Sequence, residues 1–250
     1  MIRLTVLGSA ASYPGPGQAC AGYLLETADA RVLLDCGNGV LSNLGKFADP
    51  TRLDAVFVTH GHIDHFADIY ALHAALRYAP SGPLPPLALH APEGWFDRMT
   101  APLTQRSMYE FSESFDFTRL EASMTVAVGD LVITPVPVEH VWPTFGLTVT
   151  AGDARLFYTS DSAPGPQLVE AATGAGTLLA DATLPEQYAG RSPHMTAREA
   201  GELAQTAGVR TLVLTHLWPS VDRAEARRQA EAVFAGRVIV AEELQAIEID

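Results

Sequence analysis

Lysine is almost missing from this chain: Lys46 is the only one, and 16 basic residues face 29 acidic ones for a formal charge of −13. A protein that grips nucleic acid through its phosphates needs a basic face, so RNA or DNA is not an expected partner. Cysteine is nearly as scarce. Cys20 and Cys36 are too few for a disulfide framework or an all-cysteine metal site, and reduced thiols are expected. No apolar run approaches the roughly 20 residues that cross a bilayer. The opening Met1–Ala10 reads as a strand rather than a cleavable leader. No membrane contact is expected, and the default location is the cytosol. Low-complexity tracts, linkers and solenoid-length repeats are also missing, so residues 1–250 are expected to form a single domain. What is abundant is core-forming material: 48% hydrophobic residues against 18% charged, a globular balance.

Short apolar runs open the first half: Ile2–Leu7, Gly22–Thr27, Arg31–Asp35 and Ala55–Thr59, with small residues and prolines between them. Helices are expected over Gly37–Lys46, Phe66–Tyr78 and Pro92–Met99, and a short strand over Leu87–His90. The second half opens with two hairpins. One turns at Gly129-Asp130 within Met124–Val138, and the other at Ala151–Ala154 between Phe145–Thr150 and Arg155–Ser160. Helices (Gln167–Ala172, Thr196–Ala207, Asp222–Phe234) then alternate with strands (Thr177–Asp181, Thr211–Thr215, Arg237–Val240). Consecutive strands followed by alternating elements, twice over, suit an α/β protein: a four-layer αββα sandwich of two mixed β-sheets with flanking helices. The stretch 99–125 carries no clear pattern and is taken as a loop.

The chemistry concentrates in His60-Gly61-His62-Ile63-Asp64-His65, an HxHxDH motif between a buried-strand run and a helix. Three imidazoles and a carboxylate are costly to bury without partners and are ordinary ligands of divalent metals. His60 and His62 can face one side of the turn. Asp64 and His65, placed at the start of the following helix, can face another, a split that suits two ions. His140, Asp161 and His216 each stand just past an apolar run. Singly, each reads as a capping or core polar residue; together they can complete two metal sites. His73, on an apolar helix face, reads as a core or boundary residue, and His90 is not expected to be a ligand. Cys36 reads as a small buried hydrophobe. Trp142, Tyr109 and Phe111 are placed in or near loops and are expected to pack beneath them, with base stacking as the alternative.

In motif order, Leu34-Asp35-Cys36-Gly37, HxHxDH, His140, Asp161 and His216 resemble the metallo-β-lactamase-fold hydrolases over nearly the whole chain. The resemblance implies a first metal on His60, His62 and His140, a second on Asp64, His65 and His216, and Asp161 bridging both. It implies that Asp35 orients the histidine loop, although a turn aspartate before glycine would look the same. The pattern resembles more nearly the branch holding ribonuclease Z and related phosphodiesterases. There Asp181-Ala182-Thr183 and His194-Met195-Thr196 look like two further motifs, which implies catalytic assistance from His194 with Asp181 behind it. Asp181 stands where glutamate is usual, and His194 alone would pass for a surface loop residue.

Ribonuclease Z carries a basic, glycine-rich arm for tRNA, and no such insertion is visible here. Compact bacterial members that include atypical cyclic-nucleotide phosphodiesterases share Leu7–Ala10, Cys20–Leu25 and Phe145-Gly146-Leu147. The expected function is a dinuclear metal-dependent hydrolase acting on a small phosphodiester such as 3′,5′-cyclic AMP. Two zinc ions are expected, with manganese or iron as alternatives. Asp64 is expected to orient the nucleophile and His194 to supply a proton. The alternatives are an RNA 3′-end endonuclease, an ester or lactone hydrolase on the same centre, and a non-catalytic metal-binding module. Oligomeric state is left open, with a homodimer allowed.

Overall fold

The computed structural model describes residues 1–122 and 124–250. Ser123, within the 99–125 stretch, lies outside the described residues. The first sheet is ordered β14-β1-β2-β3-β4-β5-β6. Its strands are β1 (Ile2–Gly8), β2 (Gly22–Glu26), β3 (Arg31–Leu34), β4 (Ala55–Phe57), β5 (Leu87–Ala91), β6 (Phe115–Arg119) and β14 (Ala246–Ile249). The second sheet runs β13-β12-β11-β10-β9-β8-β7. It comprises β7 (Val126–Val128), β8 (Leu131–Val138), β9 (Thr144–Ala151), β10 (Ala154–Tyr158), β11 (Thr177–Asp181), β12 (Thr211–Thr215) and β13 (Arg237–Val240). Helices α1 (Val40–Leu44), α2 (Ile69–Arg77), α3 (Trp95–Thr100) and α4 (Gln105–Ser114) share a core with the first sheet. Helices α5 (Pro166–Ala172), α6 (Ala197–Ala207) and α7 (Arg223–Glu231) share one with the second. This is the expected αββα sandwich.

The layers follow from strand periodicity. In β3, Val32 and Leu34 enter the core between the sheets while Leu33 joins the helix layer; Ala55 and Phe57 against Val56 do the same in β4. Val213 against Leu212 and Leu214 repeats the pattern in β12. Such strands are apolar on both faces because both faces are covered. Thr196 caps α6 in a full capping box with Glu199.

Three departures from the sequence expectation matter. The stretch 99–125 holds α4 and β6. Helix α4 is polar enough that only Phe111 and Ser114 are buried, so its periodicity was faint. Strand β14 was not foreseen, being four residues that pair antiparallel with β1. Asp64 and His65 do not start a helix. They sit in a 3₁₀ turn, Ile63–His65, and α2 begins only at Ile69. The intervening backbone is tied to the end of β3: Cys36 N–H donates to the His65 carbonyl (2.7 Å) and Asp68 N–H to the Cys36 carbonyl (3.0 Å). Those bonds turn the chain before an α-helix can form.

Strands β3 to β6 run parallel, as do β10 to β13, so their carboxyl ends share an edge in each sheet. Open sheets bind ligands at that edge. Here three of the strand-end turns contain a non-glycine residue with left-handed backbone: Asp35 (φ 56°), Ser160 (φ 54°) and His216 (φ 53°). Each is held there at a cost of about 1–3 kcal/mol, and such strain collects at functional sites.

Candidate metal centre

All of the expected site residues converge where these carboxyl ends meet. His60, His62, His140 and Asp161 form one group whose ligand atoms lie within 4.8 Å of one another; Asp64, His65 and His216 form a second. In the first, Asp161 Oδ2 lies 3.4 Å from His60 Nε2 and 3.8 Å from His140 Nε2, and His140 Nε2 is 3.2 Å from His62 Nδ1. In the second, His65 Nε2 is 3.2 Å from His216 Nε2, which is 3.3 Å from Asp64 Oδ2. Asp161 Oδ1 faces this group at 3.2 Å from His65 Nε2. One carboxylate thus presents an oxygen to each set.

The outer ring nitrogens decide which nitrogens face inward. Nδ1–H of His65 donates to Asp35 Oδ2 (2.9 Å), and that of His140 to the Pro193 carbonyl (3.1 Å). Nδ1 of His216 lies 2.8 Å from Thr183 Oγ1 and 3.2 Å from Asp161 Oδ1, and Nδ1 of His60 lies 3.2 Å from Thr59 Oγ1. Each such contact orients its ring so that Nε2 faces the centre. Two buried atoms, His60 Nε2 and Asp161 Oδ1, find no hydrogen-bond partner among the described residues. Opposed lone pairs and orphaned acceptors repel one another or stand unsatisfied, at about 1–3 kcal/mol each. Divalent cations relieve both, so the residues present fit a metal.

The charge states divide between the two groups. Burial pushes His60 down to about 4, with His65 adding to it. Burial also lowers His62, beside His140, and His140 itself. Burial thus favours the neutral form of all three rings, the form that can ligate a metal. Burial opposes charge on His216, yet Asp161, Asp181 and Asp64 outweigh it and hold the ring up at about 10. His65 is likewise driven up against its burial by Asp161 and Asp35.

A third group, Asp161, Asp181, His194 and His216, also lies within 4.8 Å. Asp181 is poorly placed to bind an ion there. Its Oδ1 accepts from Thr183 N (2.9 Å) and Thr183 Oγ1 (2.6 Å), and its Oδ2 from Ser162 N (3.2 Å) and His194 Nδ1 (2.8 Å). Burial would raise its pKa, but the His194 and His216 rings hold it at about 2. His194 is accordingly not a free loop residue: its ring stacks 5.7 Å from that of His216, Nδ1 is tied to Asp181, and Nε2 remains for a ligand.

Asp35 does more than end a strand. Fully buried, it accepts from Thr59 N (2.8 Å), Thr59 Oγ1 (3.0 Å), His65 Nδ1 (2.9 Å) and Tyr158 Oη (2.9 Å). Tyr158 belongs to the opposite sheet, so this carboxylate ties the two sheets together under the histidine loop. Asp35→Ala would strand four buried donors, and a loss of at least about 3 kcal/mol is expected, because each unpaired donor costs roughly 1–3 kcal/mol. The shift in urea midpoint at constant slope measures it. A loss below about 1 kcal/mol would mean that water replaces the carboxylate.

Sequence reasoning did not single out Tyr158, Ser12 (whose N–H donates to Asp64 Oδ2 at 2.6 Å) or Ser160, whose hydroxyl donates to Thr59 Oγ1 at 2.7 Å. A buried tyrosine and two loop serines carry no signal until their partners are known. His73 and His90 stay outside the centre as expected: His73 pairs with Ser114 Oγ (2.8 Å), and His90 stacks on Phe57 at 4.4 Å. Cys36 is buried as expected, and that burial raises its thiol pKa. The expectation for the loop aromatics needs correction. Tyr109 and Phe111 lie in α4; Phe111 is buried, but Tyr109 and Trp142 stay exposed. Trp142 has Arg98 over one face of its ring and is not packed under its loop.

A model described as "Beta-lactamase superfamily domain" matches residues 30–217, which takes in every residue of both groups. The chain belongs to this superfamily. An uncharacterized protein of Mycobacterium tuberculosis (Rv1339, strain ATCC 25618 / H37Rv) is 35% identical over 244 residues, covering 95% of this chain and 88% of that protein. Ribonuclease Z of Mycolicibacterium paratuberculosis (strain ATCC BAA-968 / K-10) is 30% identical over 280 positions, covering 100% of this chain and 99% of the enzyme. Since this chain has 250 residues, that alignment leaves at least 30 positions of the enzyme without a counterpart. The crystal structure of YhfI from Bacillus subtilis, a metallo-beta-lactamase fold protein, superposes with a TM-score of 0.88 at 27% identity, over 98% of each chain. The related sequence is described as "Probable metallo-hydrolase YhfI". In this superfamily member, then, the layers, the strand-end placement of the centre and a His/Asp cluster able to bind metal are all in place.

Proposed function

We propose that the protein is a metal-dependent phosphodiesterase acting on a small phosphodiester such as 3′,5′-cyclic AMP. One observation carries the reading: two adjoining ligand groups share Asp161, and a histidine outside both, His194, stands at their edge with its inner nitrogen tied to a carboxylate. The first group (His60, His62, His140) and the second (Asp64, His65, His216), with Asp161 between, would hold two divalent cations, zinc being the best match to the imidazole-rich donors. When bound, such ions lower the pKa of water toward about 7 and neutralise phosphate oxygens. Asp64, itself held by Ser12 N–H, orients the attacking water from one side. His194, with Nδ1 on Asp181, presents Nε2 to the leaving alkoxide and gives it a proton. A purely structural metal site is normally closed and mononuclear, which speaks against a non-catalytic module.

The similarity to a ribonuclease Z gives the RNA endonuclease reading its support. Against it stand the charge of −13 and the alignment positions this chain lacks. The connection from His140 to Asp161 is only the β9–β10 hairpin, with no basic arm among the described residues. A small substrate needs no such arm, because the metals supply the local positive charge. Hydrolysis of 3′,5′-cyclic AMP is therefore expected to exceed cleavage of a tRNA precursor at equal enzyme, with a KM that changes little between low and moderate salt. RNA binding would instead weaken with a salt slope of about −0.7 per contacted phosphate. Salt-sensitive cleavage of the precursor with no turnover of cyclic nucleotide would replace this reading by the endonuclease one. Turnover confined to carboxylic esters or lactones would replace it by the third.

A further inference from the structure

A cleft of about 180 Å³ opens beside the histidine loop, lined by Gly61, Trp95, Arg98 and Trp142 among others. It adjoins the centre through two short stretches of chain. Gly61 lies between His60 and His62, and Trp142 is two residues beyond His140. A Cβ built at Gly61 would sit 3.7 Å from Arg98 Cδ, so the arginine stem runs alongside the motif itself. The guanidinium carbon of Arg98 lies 3.7 Å from the Trp142 ring centroid. In a chain of charge −13, this guanidinium makes no ion pair or side-chain hydrogen bond among the described residues. Glu93, the acid in the same cleft, is engaged instead by Arg119 Nη1 at 3.2 Å. The pair is therefore a flat, preset surface whose hydrogen-bond donors are unused, and Trp142 remains 42% exposed.

From this geometry we infer that Arg98 and Trp142 form the subsite for the planar base of a nucleotide substrate, held beside the loop while the phosphodiester lies over the cluster. The inference rests on the phosphodiesterase reading and deepens it. Indole and guanidinium planes are the usual stacking partners of unpaired bases. The size agrees: pockets that enclose a whole drug-sized ligand start near 300 Å³, so this cleft suits one ring system rather than an entire nucleotide. Its donors are matched to acceptor atoms on the base edge, since arginine offers donors only.

The test compares kcat/KM for 3′,5′-cyclic AMP with that for base-free methyl riboside 3′,5′-cyclic phosphate, using metal-loaded protein. Trp142→Ala and Arg98→Ala are expected to lower the ratio of the two about 10- to 100-fold, the span of one stacked base, chiefly through KM. Trp142→Phe, which keeps a ring, should lower it less. Arg98→Lys, which keeps the charge but not the plane, should lower it nearly as much as alanine. Adenosine binding, read by calorimetric titration, should be lost in Trp142→Ala at unchanged metal content. A ratio within twofold of the parent in both alanine variants, or its full recovery with Arg98→Lys, would overturn the subsite. If neither cyclic phosphate is hydrolysed, the phosphodiesterase reading fails by itself. Adenosine binding then still decides: Trp142-dependent binding supports the subsite, and its absence in the parent overturns it.

Discussion

Asp161→Ala is expected to abolish measurable hydrolysis and to remove metal from both groups together. The reason is geometric. Oδ2 faces His60 and His140 while Oδ1 faces His65, so one substitution takes an oxygen from each set. It also takes away the buried charge that draws a proton onto the His65–His216 pair. The parent protein should therefore release protons as cation enters the second group, because metal and proton compete for the same lone pairs. Metal analysis of parent and variant, with calorimetric titration in two buffers of different ionisation heat, checks both halves. Retention of two ions by Asp161→Ala would sink the bridging role.

His194→Ala is expected to keep its metal and lose about 10²–10⁴-fold in kcat, the usual contribution of a positioned general acid or base. Its Nδ1 is committed to Asp181 and its ring lies outside the two principal ligand groups, so metal content should not follow the rate. The carboxylate has a separable effect. Burial disfavours the charged His194 ring, but Asp181 outweighs it and raises the pKa above its ordinary value. A general acid works in its protonated form, so activity falls as pH rises through that pKa. Asp181→Asn removes the raising charge and should move the basic limb of the kcat/KM profile to lower pH. An unmoved limb, with His194→Ala fully active on an unactivated substrate, would leave the histidine only a structural role.

The sequence by itself marked out the residues that the fold gathers into the His/Asp cluster, because most of them follow a run of apolar residues that ends at a sheet edge. Leu212–Leu214 before His216 and Leu156–Tyr158 before Asp161 are buried on both faces, and the first polar residues past them fall where the two sheets open. Parallel pairing then brings those ends together whatever the side chains are. HxHxDH was legible for the same reason, its spacing being local. Local patterning failed where the signal was short or polar, as in β14 and α4, whose burial depends on partners more than a hundred residues away or on a single apolar face.

Only the tertiary structure decided which nitrogen each histidine turns inward. Asp35, Thr183, Thr59 and the Pro193 carbonyl settle that, and for His65, His140 and His216 the partner lies at least 30 residues away in the chain. It also separated Asp181 from the ligands. An aspartate at a strand end reads the same in sequence whether its oxygens are free or, as here, each already accepts two hydrogen bonds. Trp142 shows the converse: an aromatic in a loop is expected to bury its ring, since apolar area leaves water at roughly 25 cal/mol per Å². Here a guanidinium from α3 takes one face and the rest stays open, a choice set by where α3 packs and not by any residue near Trp142 in the chain.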